Sequence, residues 1–91
     1  MKQIELSISV QVNHANGSVG AVYFQVRRGR AAKVRELANG NAFANYDING
    51  RLLGVELLAP CEIAVLDQIT KKESMPVKNF LRNSIPVEMV A

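Results

Sequence analysis

From Ile4 to Asn13 apolar and polar residues alternate without a break: Ile4, Leu6, Ile8, Val10 and Val12 against Glu5, Ser7, Ser9, Gln11 and Asn13. A period of two predicts a strand with one buried and one wet face. The stretch HANGSVG, His14 to Gly20, carries turn chemistry, with Asn16-Gly17 expected as a left-handed pair, so the next strand should return as a hairpin. In AVYFQVRR, Val22, Phe24 and Val26 share one face while Tyr23, Gln25 and Arg27 share the other, and Gly29 ends the run. KVREL, Lys33 to Leu37, predicts a third, short strand that stops at Ala38-Asn39-Gly40.

The segment YDINGRLLGVELLAP, Tyr46 to Pro60, contains Asn49-Gly50, the dipeptide preferred in two-residue hairpin turns. Such a turn pairs Ile48 with Arg51, Tyr46 with Leu53, Ala44 with Val55 and Ala42 with Leu57, which gives one apolar face. The opposite face then holds Asp47 against Leu52, Asn45 against Gly54 and Phe43 against Glu56, with Leu58 beyond. A one-residue slip would exchange the two sets.

After Pro60 and Cys61 the period changes. Ile63, Leu66 and Ile69 recur at helical spacing, with Lys71 and Lys72 suited to a helix C-terminus. PVKNFLRNS predicts a second helix with Pro76 in its first turn and Val77, Phe80 and Leu81 on one side, ended by Ile85-Pro86. The tail VEMVA reads as a short edge strand or a frayed end. The expected fold is α+β: an antiparallel meander of about five strands, with two short C-terminal helices packed on its apolar face, in a single domain spanning residues 1–91.

Composition bounds the function. A chain of 91 residues, 48% of them hydrophobic, has enough apolar material for one core without disulfides or metals. The lone Cys61 has no partner for an intrachain disulfide, and the alternating N-terminal residues lack the apolar run of a signal peptide; both fit a reducing, cytoplasmic setting. No apolar run reaches the roughly 18 residues of a membrane span.

Between about Gly20 and Leu58 the order of features resembles domain-of-unknown-function family 2283. The likeness rests on an aliphatic-aromatic strand (AVYFQV), a short charged strand (KVREL) and the hairpin YDINGRLLGVELL. In that hairpin Tyr46, Asp47, Gly50, Arg51, Leu52, Gly54, Val55, Glu56, Leu57 and Leu58 stand where the family pattern expects such residues. The resemblance implies a fold and carries no activity.

Two sets of residues are candidates for function. The first is the mixed sheet face of Glu56, Asp47, Asn45, Phe43, Leu52 and Leu58, where a carboxylate in an apolar strand could act as an acid, base or ligand, or could set the geometry of a partner. Phe43, Leu52 and Leu58 are more apolar surface than two helices on the other face can cover, so the face predicts a homo-oligomer or another protein partner. Glu56 is then expected to be held by an arginine, with Arg27 and Arg51 the favoured partners, or by backbone N–H groups.

The second set is the basic run Arg27, Arg28, Arg30, Lys33 and Arg35, five cations in nine residues of a chain with net charge +3; it could neutralise the phosphates of a nucleic acid. His14 and Cys61 stand too far apart to form a metal-ligand pattern, no phosphate-binding glycine loop is present, and no cofactor is implied. Cys61, at the predicted start of a helix, would be either a semi-buried thiol or one with a lowered pKa. The leading expectation is a non-enzymatic, oligomeric interaction module. The alternatives are a nucleic-acid-associated or antitoxin-like regulator using the basic run, and an enzyme centred on Glu56.

Overall fold

Five strands form one antiparallel sheet in the computed structural model, which describes residues 5–90. The strands are β1 (Ser7–Val12), β2 (Val19–Gln25), β3 (Lys33–Leu37), β4 (Ala42–Tyr46) and β5 (Leu52–Leu58), followed by helices α1 (Ile63–Ile69) and α2 (Met75–Ser84). The α+β class and the two C-terminal helices agree with the alternation and the later change of period. The strand order does not follow a meander: it is β1-β2-β5-β4-β3. The connection over residues 26–32 carries the chain from β2 past β5 and β4 to the far edge, so β2 through β5 form a Greek key with the long connection first. Gly29 lies on this crossing, and a Cβ there would come within 2.8 Å of Leu53 Cδ2, which is why the crossing can lie close over the strand.

The core fills one side of the sheet. Val22 and Phe24 from β2 and Val55 and Leu57 from β5 are fully buried, and Leu66 of α1, Leu81 of α2 and Met89 close over them. Each such side chain contributes roughly 1.5 to 3 kcal/mol by leaving water. Phe80 departs from the expected pattern: it is 43% exposed, and α2 buries only Val77 and Leu81. Lys71 and Lys72 lie beyond the end of α1, which closes at Thr70, whose hydroxyl donates to the Leu66 carbonyl at 2.8 Å. The tail, whose last residue Ala91 lies outside the described residues, forms no regular strand and makes one isolated parallel bridge, Val90 to Cys61. Val87–Met89 makes a 3-10 turn, Met89 is wholly buried, and its carbonyl accepts from the Cys61 N–H at 2.8 Å.

The first strand is only partly as its alternation predicts. Ile4 lies outside the described residues, and Ile8 is half-buried, but Val10 and Val12 are 47% and 56% exposed. They stand on the core side at the sheet edge, where no helix reaches. In the turn that follows, Gly17 alone takes positive φ (73°), while Asn16 instead accepts from the Ser18 N–H through its side chain.

The β4–β5 hairpin shows how a turn and a bulge can offset each other. Pairing Ala42 with Leu57, Phe43 with Glu56, Ala44 with Val55 and Asn45 with Gly54 agrees with the register expected from a two-residue turn. The turn itself is different. Asp47 N–H donates to the Arg51 carbonyl at 2.9 Å, Gly50 N–H donates to the Asp47 carbonyl at 3.0 Å, and Gly50 has φ 80° while Asn49 has no positive φ. This is a three-residue loop ending in a left-handed glycine. It shifts the register by one, so Tyr46 faces Leu52, and an irregularity beside Asn45 and Tyr46 restores it.

Candidate functional site

The side of the sheet away from the helices is built from cross-strand rows. In the central row Tyr23 of β2, Glu56 of β5, Phe43 of β4 and Glu36 of β3 stand directly opposite one another. Tyr23, Glu56 and Phe43 are half-buried, as are Asn45 and Leu58 on the same face. The Tyr23 ring leans across Gly54, where an added Cβ would overlap its hydroxyl and come within 2.6 Å of Cζ, and Asn45 Nδ2 donates to that hydroxyl at 3.4 Å. Gly54 is therefore required by a neighbouring side chain, not by backbone conformation.

Two members of the predicted face are placed elsewhere. Leu52 is a correction: it is 3% exposed and belongs to the core cluster, because the three-residue loop sets it opposite Tyr46, whereas Leu53, expected in the core, is buried against Gly29. Asp47 is committed to the turn. Its Oδ1 accepts from the N–H groups of Asn49 and Arg51, both at 2.9 Å, as aspartate at the first position of such a turn commonly does. Glu56, Phe43, Asn45 and Leu58 remain together.

The expected arginine partners of Glu56 are engaged elsewhere. Arg27 donates to the Leu52 carbonyl and to Glu73, with Nη2 to Oε1 at 2.9 Å; side-chain exposures of 34% and 11% make this the most enclosed ion pair among the described residues. Arg51 Nε lies 3.8 Å from Asp47. Glu56 has no ion pair among the described residues.

The basic run is dispersed. Arg27 turns toward the α1–α2 loop, Arg28 meets Glu5 at 3.1 Å with both side chains more than four-fifths exposed, and Arg30 lies on the crossing connection. Lys33 and Arg35 project from β3 on the side that carries the core, beyond its rim, while Val34 and Glu36 point the other way. The five cations therefore do not form one surface.

Structure gathers a different set. A cleft of about 870 Å³ opens at one end of the sheet and is lined by Arg27, Arg28, Arg51 and Lys72 together with Glu5 and Glu73. Arg51 and Lys72 are far from the basic run in sequence, and only the hairpin and the α1–α2 turn bring them to it. No local signal could have shown this. Cys61 is buried, and desolvation pushes its thiol pKa up, away from the thiolate alternative. Among the described residues no group of three or more His, Cys, Asp or Glu is placed to hold a metal, and no helix is long and apolar enough to cross a membrane.

No family model, curated protein or solved structure matches the chain.

Proposed function

We infer that the protein is a non-enzymatic interaction module whose partner is a second copy of itself, joined edge to edge along β1. The observation that supports this most is the chemistry of that edge. SISVQV contains no charge and no proline, and Val10 and Val12 stand exposed beside the outward-facing backbone groups of the strand. Natural edge strands are ordinarily protected from such pairing by charge, bulges or cover; here the irregularity in the β1–β2 pair falls at Gln11 and Val12, and Ser7 to Gln11 pair regularly with Gln25 to Ala21.

Antiparallel pairing of two β1 strands keeps like faces together. A two-fold axis at Ser9 sets Ile8 of one copy against Val10 of the other and Ser7 against Gln11, so apolar meets apolar and polar meets polar. The face centred on Glu56 is less suited to a second copy. Its central row carries Glu36 and Glu56, and the residues opposite them in that row bring no cation, so two such faces laid together would oppose like charges. The edge uses the sheet's own hydrogen bonding and needs no desolvated carboxylate.

Sedimentation velocity across a wide range of protein concentration tests this reading. The expected result is a concentration-dependent shift from the mass of one chain to the mass of two. A single-chain mass at the highest concentration would reject it.

A further inference from the structure

The cleft at the end of the sheet is the strongest unexplained feature of the molecule. Its cations come from three separate segments: Arg27 and Arg28 follow β2, Arg51 follows the β4–β5 turn, and Lys72 lies between α1 and α2. Folding thus gathers four cations in one concavity lined by the carboxylates Glu5 and Glu73, with Asp47 3.8 Å from Arg51, and leaves one positive charge in excess for an anion to offset.

The cations also differ in how firmly they are held. Arg27 is fixed by Glu73 and the Leu52 carbonyl and forms a wall. The Arg28–Glu5 pair is exposed on both sides, and Arg51 is 64% exposed at 3.8 Å from Asp47. Exposed pairs of this kind are worth roughly 0 to 1 kcal/mol and exchange readily for a better acceptor. Lys72 has no ion pair among the described residues.

We propose that this cleft binds a small molecule carrying a dianionic phosphoryl group, a phosphomonoester or a diphosphate. Arg28, Arg51 and Lys72 neutralise the phosphoryl oxygens. Guanidinium groups suit this task because their donors match phosphate geometry in pairs, and the lysine adds a point charge. Ser7, Gln25 and Ser74 line the same cleft and supply neutral donors and acceptors for the polar body of the ligand. The volume falls in the range of roughly 300 to 1,000 Å³ common for small-molecule sites, more than a single inorganic ion needs. The site is distinct from the basic run in the sequence: it takes Arg27 and Arg28 from that run and leaves Arg30, Lys33 and Arg35 out.

The test is a titration of the isotopically labelled full chain, followed by amide chemical shifts, with inorganic pyrophosphate and separately with a short DNA duplex at constant, near-physiological ionic strength. Pyrophosphate is expected to give saturable shifts confined to the cleft, around residues 25–28, 50–51 and 72–74. The double variant Arg51→Ala, Lys72→Ala should weaken this binding at least about tenfold. The matched variant Lys33→Ala, Arg35→Ala removes the same charge from β3 and should leave binding unchanged, and well-dispersed spectra of both verify that they fold. Non-saturating shifts, equal loss in the two variants, or saturable binding by the duplex alone would each overturn the proposal; the last would assign the cations to a nucleic-acid backbone.

Discussion

The two edges of this sheet are opposite solutions to the same exposure. β3 is five residues long and carries Lys33, Arg35 and Glu36, whereas β1 is six residues long and carries no charge at all. Both leave apolar side chains in water, Val34 on β3 and Val10 and Val12 on β1, so exposure alone does not separate them. Charge does. A strand added to β3 would have to accommodate alternating cations and an acid, while one added to β1 meets only serine, glutamine and aliphatic groups. Unpaired backbone is thus guarded at one end of the sheet and left open at the other, and the proposed assembly uses the open end.

The contrast breaks most readily at β1. Val10→Lys with Val12→Lys puts cations at exposed positions, where the monomer core is untouched, and in an edge paired about Ser9 sets them opposite aliphatic side chains, with position 10 of one copy diagonal to position 10 of the other. Association should weaken on the order of 100-fold, given that like-charge contacts cost several kcal/mol. Sedimentation reads the loss, and an unchanged association constant would place the interface elsewhere.

A change in the hairpin at the middle of the sheet should have a different consequence. Gly50→Val forces a β-branched residue to φ near 80°, and should lower monomer stability by about 1 to 3 kcal/mol in a denaturant titration. The association constant of the folded protein should not change, because β2 stands between the hairpin and β1. Loss of association in the folded variant would show that the hairpin and the β1 edge are coupled.

Removing the guard sharpens the comparison from the β3 side. Lys33→Thr, Arg35→Thr and Glu36→Thr together leave an uncharged edge, and a second mode of self-association should appear, about tenfold stronger than in the parent and visible as species larger than a dimer. Absence of such species would mean that charge is not what keeps β3 single.

The smallest effect is expected at Glu56. Glu56→Gln removes a half-buried carboxylate that has no ion pair among the described residues, so stability should change by less than about 0.5 kcal/mol and the association constant should stay the same. A shift in association would return the interface to the face on which Glu56 stands.

The sequence carried the local pattern of this fold well and its long-range consequences poorly, for reasons visible in single residues. Alternation located β2, Lys33 to Leu37 coincides with β3, and the periodicity of Ile63, Leu66 and Ile69 marked α1, since each depends on neighbours in the chain. The passage of the 26–32 connection across the sheet depends on which strands pair, and no local pattern encodes that. The exposure of Val10 and Val12 depends on how far the helices reach, and alternation is the same in a covered strand as in an uncovered one.

At Leu52 and Leu53 the failure was finer. Asn49-Gly50 signals a hairpin but not whether its loop holds two residues or three, and one residue exchanged the roles of the two leucines. The candidate face survived as Glu56, Phe43, Asn45 and Leu58 because the register beyond the bulge is restored. The cleft was illegible because its cations lie in three segments that are remote in sequence.

Backbone amide exchange of β1 as protein concentration is raised is the most direct test of the central claim. Pairing along β1 predicts that the outward-facing amides of Ser7–Val12 gain protection with concentration while those of Lys33–Leu37 do not. Protection of β1 that is independent of concentration, or a gain confined to β3, would contradict it.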